Sequence, residues 1–349
     1  MAPSQDLQTR PEPWQGTFSN STTLDDIVAC FRLLLGRLPN REEWRGHSAR
    51  VGEPLDMVVG SYVSSLEFSR RGLGAPGTLG SVGQAQLPSF SIYFEADDAA
   101  VGRHVTWEDF DADVIAVFRR FVRPGAHVLD LGANIGYFTM LSASLVGPSG
   151  SVMAIEPNPG NARLIEASRR ANGFAQVRVV QVAAGREAGL LVLHRSHSNG
   201  TTSAAPDDVV SLLAAETVAC VRVDGIVPRG RRIGFIKADV EGAEYLALSG
   251  CLRIIRRDRP VILTEFSPSL MQGISGISGP GYLAWLTGLG YRLSIVQPDG
   301  SLLAAGPAAI MAEHAARGID HLDLVAEPIP VAMHVQQRLR RLAAKLGRR

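Results

Sequence analysis

The feature that most constrains this 349-residue chain is an alternation of short apolar, β-branched runs with helical stretches from residue 127 onward. The runs are "HVLDLG" (127–132), "SVMAIEP" (151–157), "VRVVQVAA" (177–184), "IGFIKAD" (233–239) and "PVILTEF" (260–266), and helical patterns fall at 134–146, 159–172 and 242–253. Uniformly apolar runs predict strands buried on both faces, and helices between them predict right-handed βαβ units in a mainly parallel sheet. The ending differs: a helix near 280–289 precedes "YRLSIVQ" and "HLDLVAE", with no clear helix between those two runs. They predict an antiparallel hairpin at the sheet edge. The expected fold class is α/β, doubly wound and Rossmann-like.

Upstream, residues 1–21 are polar and read as disordered. The stretches "TTLDDIVACFRLLLGRLPN" and "LDMVVGSYVSSLEFSRRGL" carry helical periodicity and predict a helical module over 22–73. A Gly, Pro and Ser-rich stretch predicts a linker over 74–92, with the main domain at 93–330. The tail 331–349 holds six Lys or Arg and no acid, with Val335, Leu339, Leu342 and Leu346 at helical spacing. It reads as a basic amphipathic helix that docks on the domain. Without that tail the chain has 29 basic and 34 acidic side chains, which argues against a nucleic-acid-binding body. Three widely spaced cysteines, no apolar leader and no run of about 20 apolar residues predict a cytoplasmic protein without a transmembrane segment.

Ligands of open α/β sheets sit beyond the carboxyl ends of the strands. In "VLDLGANIGYFT", Asp130 ends a strand and Gly132, Asn134 and Gly136 form a turn before a helix; Glu156 ends the next strand, placed to accept from ribose hydroxyls. Asp130 would repel a pyrophosphate and attract an ammonium, and Asn134 stands where close pyrophosphate approach requires glycine. S-adenosylmethionine is therefore preferred to NAD as the cofactor. In "FIKADVEGAEYLALSG", strand alternation puts Lys237 and Asp239 on one face, where the ammonium favours an ionised Asp239. Asp239, Glu241 and Glu265 supply carboxylates for a proton transfer. Lys237 either holds Asp239 or takes part directly, and Glu244 reads as a first-turn acid stabilised by the helix dipole. A hard cation between Asp239 and Glu265 is the lesser alternative.

"VLDLGANIGYFT", "AIEPNP", "FIKADVEGAEYLALSG" and "VILTEFSP", in this order, resemble the FkbM family of S-adenosylmethionine-dependent methyltransferases over about residues 93–330. The resemblance implies methylation of a hydroxyl oxygen on a sugar, polyketide or related metabolite, so the expected partner is a small-molecule or glycan hydroxyl acceptor. It matches Glu108 to the acid of the family's lead-in helix, and makes Asn199 and Ser203 candidates at the cofactor or substrate lip. The helical module resembles a bacterial domain of unassigned function. The rivals are a non-catalytic protein that kept the pocket and an NAD-dependent oxidoreductase. His194 and His197 read as loop histidines, and "GISGISG" (273–279) as a flexible loop rather than a nucleophile elbow.

Overall fold

The computed structural model describes residues 19–71, 82–96, 98, 101–102, 104–106, 110–196 and 198–330. The expected tail helix, most of the expected disordered start, Glu108 and His197 lie outside the described residues. The chain divides into two compact units at Gly80/Ser81. In the first, Leu24–Ala29 runs into a π-helical turn, Cys30–Leu35, followed by helices Arg41–Ser48, Leu55–Val63 and Leu66–Arg71. Thr23 and Asn40 close capping boxes with Asp26 and Glu43 at the starts of the first and third. Ile27, Cys30, Phe31, Leu35, Val58 and Tyr62 form its core.

The second unit opens with a hairpin, β1 (Val82–Gln86) and β2 (Ser91–Glu95). Residues 82–92, expected as the end of a linker, are thus strand and turn. Ser168 Oγ accepts from the Tyr93 amide at 3.0 Å and Asn172 Oδ1 from the Ser91 amide at 2.7 Å, holding the hairpin to helix Pro159–Ala171. The next strands are β3 (His127–Leu131), β4 (Ser151–Ile155), β5 (Val177–Val180), β6 (Ala183–Ala184), β7 (Gly189–Ser196), β8 (Asn199–Ala204) and β9 (Thr217–Val221). Then come β10 (Ile233–Ala238), β11 (Val261–Phe266), β12 (Tyr291–Val296), β13 (Leu302–Ala304) and β14 (Leu322–Pro328).

Eight of these form one sheet in the order β13-β12-β14-β11-β10-β3-β4-β5, parallel from β11 to β5 and antiparallel through β14, β12 and β13. The fold is the expected doubly wound, Rossmann-like one. Its edge differs in detail: β12 and β14 are antiparallel, but β13 and helix Pro307–Arg317 lie between them in sequence, and the edge hairpin is β12–β13. The run at 177–184 also splits, with β5 in the main sheet and β6 paired to β9 in a second sheet, β6-β9-β7-β8.

Strand alternation assigns the two faces of the main sheet. Val128, Val152, Phe235 and Leu263 pack with Val114, Phe118, Phe138 and Ile165 on one side. Leu129, Ile155, Ile236 and Ile262 pack with Leu248, Ile255, Leu283 and Ile310 on the other. By the same alternation Asp130, Lys237 and Glu265 belong to the first face, near the carboxyl ends of three adjacent strands.

Candidate active site

The carboxyl ends of β3, β4, β10 and β11 open on a cleft of about 600 Å³. Of the residues expected at the site, Gly132, Asn134, Glu156, Lys237, Asp239, Glu241 and Glu265 line it. Asp130 and Gly136 are not among its lining residues. Asp130 is fully buried, accepting from Thr139 Oγ1 at 2.6 Å. Gly136 opens helix Tyr137–Val146 at φ 94°, where a Cβ would lie 2.8 Å from Ile165 Cγ1, so its glycine serves packing.

Lys237 is the tie between turn and cleft. It pairs in register with Asp130 across β10 and β3, and its Nζ lies 3.0 Å from Asp239 Oδ2 and 3.8 Å from Asp130 Oδ1. It also donates to the Gly132 carbonyl at 3.2 Å. Burial opposes its charge, but Asp239 and Asp130 outweigh burial and hold the ammonium above the ordinary lysine range. Partial burial in the cleft pushes the Asp239 carboxyl up, yet Lys237 and a hydrogen bond with Glu265 bring it below its usual value. For Asp130 burial wins and the carboxyl stays raised.

The glycine turn is shaped by the chain that follows β10. Gly132 has φ 75°, and a Cβ there would fall 1.8 Å from the Asp239 carbonyl oxygen, so only glycine lets the two segments pass. Asn134, at φ 52°, adopts the left-handed conformation that asparagine tolerates. Glu156 Oε2 accepts from its amide at 2.8 Å, and Oε1 from the Asn158 amide at 2.9 Å. Burial pushes the Glu156 carboxyl up to about 7 despite these bonds.

In "DVEGAE", Glu241 and Gly242 are both left-handed, at φ 54° and 93°. For a glutamate this is a strained backbone, of the kind retained where geometry serves a site. Glu244 is wholly buried and its Oε1 accepts from the amides of Val240 and Gly242, at 2.9 and 3.1 Å. Its main work is to fix this turn, beyond any effect of the helix dipole.

The cleft near Asp239 is richer in acids than local sequence indicated. Asp111, Asp320 and His321 also line it, and Asp323 faces Glu265 in the β14–β11 register. Burial, then Asp239, holds Glu265 far above the ordinary carboxylate range, and the same two causes raise Asp323 to about 7. The two shifts run in opposite directions, so of this pair Glu265 holds a proton more readily and Asp239 is the more readily ionised. Among the described residues no group of three or more His, Cys, Asp or Glu side chains could hold a metal ion. His194 Nε2 lies 2.8 Å from Ser203 Oγ, exposed on the β7–β8 hairpin.

Residues 130–293 match the family model described as the Methyltransferase FkbM domain. This stretch is an FkbM-family methyltransferase domain. The FkbM domain holds Asp130, the glycine turn, Glu156, Lys237, Asp239 and Glu265. A protein-L-isoaspartate O-methyltransferase of Triticum aestivum is 31% identical over 124 residues, covering 35% of this chain and 50% of the relative. Methyltransferase 1 of Beauveria bassiana is 28% identical over 144 residues, covering 35% and 57%. The chain thus spans 50% and 57% of the length of these two curated relatives. Among solved structures, an FkbM methyltransferase from Methylobacillus flagellatus is similar at 16% identity and TM-score 0.37, covering 61% of this chain and 50% of that one. Fibrillarin from Aeropyrum pernix is similar at 14% identity and TM-score 0.38, covering 72% and 84%.

Proposed function

We propose that the protein is a cytoplasmic S-adenosylmethionine-dependent methyltransferase acting on a hydroxyl oxygen of a carbohydrate or related metabolite. The observation that carries this reading is one cleft holding Glu156 beside the glycine turn and a Lys237-anchored Asp239 at the neighbouring strand end. The residues fit the cofactor. Glu156 accepts N–H groups from the loop and keeps lone pairs free for ribose hydroxyls. Lys237 is the one Lys or Arg among the described lining residues, and its bonds go to the protein, so no cation is set aside for a pyrophosphate.

S-adenosylmethionine, when bound, supplies a methyl group on a sulfonium, a good leaving group. The protein's part is alignment and the removal of one proton from the acceptor hydroxyl. Asp239 Oδ takes that proton; Lys237 fixes its orientation, and Glu265, whose carboxyl is raised while that of Asp239 is lowered, hydrogen-bonds it. Asp111, Glu241 and Asp320 can accept from further hydroxyls of a neutral acceptor, whereas a phosphate or carboxylate acceptor meets repulsion. In D239N, turnover of the natural acceptor should fall at least ~100-fold, within the range of general-base losses, while S-adenosylhomocysteine affinity changes less than about threefold. Wild-type turnover in D239N would remove Asp239 from the chemistry.

A further inference from the structure

We infer that the Ser198 hydroxyl is a further ligand contact, hydrogen-bonding the adenosine part of the cofactor; this rests on the methyltransferase reading. The tip of the β7–β8 hairpin is held by two side-chain amides, one from the glycine turn and one from helix Pro159–Ala171. Asn134 Nδ2 donates to Asn199 Oδ1 at 2.9 Å, and Asn161 Nδ2 donates to the Ser198 carbonyl at 2.7 Å. The Asn161 amide also lies 3.4 Å from Glu156 Oε1, so Ser198 stands one amide away from the carboxylate assigned to the ribose.

Ser198 lines the cleft but is only 6% exposed, and its Oγ has no hydrogen-bond partner among the described residues. Buried hydroxyls are nearly always paired, so an orphan beside an otherwise satisfied network calls for a partner that arrives with the ligand. Serine needs little rearrangement to meet one: a turn about χ1 between staggered positions redirects the hydroxyl. It both donates and accepts, which suits the mixed polar edge of a nucleoside, and its neutrality adds no further charge beside Glu156.

The test is S198A, read by calorimetric titration with S-adenosylhomocysteine and 5′-methylthioadenosine, and by thermal unfolding without ligand. One neutral hydrogen bond corresponds to a rise of roughly fivefold in Kd. The same rise is expected for both compounds, because 5′-methylthioadenosine keeps the nucleoside and lacks the amino acid. Tm without ligand should be unchanged or higher, since an unpaired buried hydroxyl is removed. Equal affinity in S198A and wild type, a loss confined to S-adenosylhomocysteine, or a lower Tm would each overturn the assignment. If wild-type protein binds neither compound, the methyltransferase reading fails and this inference falls with it.

Discussion

Replacing Lys237 by methionine keeps the length and apolar stem of the side chain and removes only its charge, which isolates the tie between β3 and the turn after β10. Lys237 and Asp130 have side chains 6% and 0% exposed, whereas Asp239 is 40% exposed and can recover hydration. The cost therefore falls chiefly on Asp130, left buried with one oxygen bonded to Thr139 and the other without a hydrogen bond. Breaking a buried pair from one side typically costs about 3–5 kcal/mol; the low end applies here because Asp130 can escape by taking a proton. At pH 8, K237M should lose about 3 kcal/mol, seen as roughly 6–12 °C in Tm. The sign of the pH dependence follows from burial. Asp130 is already raised and rises further without the ammonium, so its penalty is present at high pH and relieved as pH falls through its folded-state value. K237M should accordingly close part of its gap to wild type between pH 8 and pH 5. The double variant K237M/D130N should recover more than half the loss, since asparagine still accepts from Thr139 without a charge. Denaturant unfolding of the four proteins completes the cycle. A K237M protein within 1 kcal/mol of wild type at pH 8, where ~3 is expected, or a double variant no better than K237M, would refute this electrostatic account.

Glu156 gives a second pH signature. Its folded-state pKa of about 7 exceeds the ordinary 4.5, so its contribution makes the unliganded protein less stable as pH rises between those values, and E156Q should remove that slope. S-adenosylhomocysteine affinity should rise with pH through about 7 in wild type, as the carboxylate ionises, and should be roughly tenfold weaker and pH-independent in E156Q. Titrations at pH 6 and 8 decide the point. G132A places a methyl against the Asp239 carbonyl at a positive φ, and should cost more than ~2 kcal/mol by denaturant unfolding; a variant as stable as wild type would show that the two segments can separate.

The strands and their carboxyl ends were legible because both depend on local patterns, and the cleft acids Asp239, Glu241, Glu265 and Glu156 were found that way. Pairing between strands distant in sequence was not. Strand alternation links Lys237 to Asp239, two residues away, but its register partner Asp130 is 107 positions earlier and becomes a neighbour only when β10 docks on β3. For the same reason Asp111, Asp320, His321 and Asp323 carry no local signature: their segments meet the others only in the folded domain. The sequence shows Gly132 as a turn glycine, whereas the atom that forbids a side chain belongs to Asp239. The hairpin at 82–95 was hidden by Gly, Gln and Ser in strand positions, which take their order from helix Pro159–Ala171 rather than from β propensity.

The central claim is that this cleft is built for a methyl-donor nucleoside and not for a dinucleotide or a purely structural task. Its most direct test is calorimetric titration of the full chain with S-adenosylhomocysteine, with NAD titrated in parallel. One-site micromolar binding of S-adenosylhomocysteine and no heat from NAD is the predicted result. Binding of NAD alone, or of neither compound by folded protein, would contradict it.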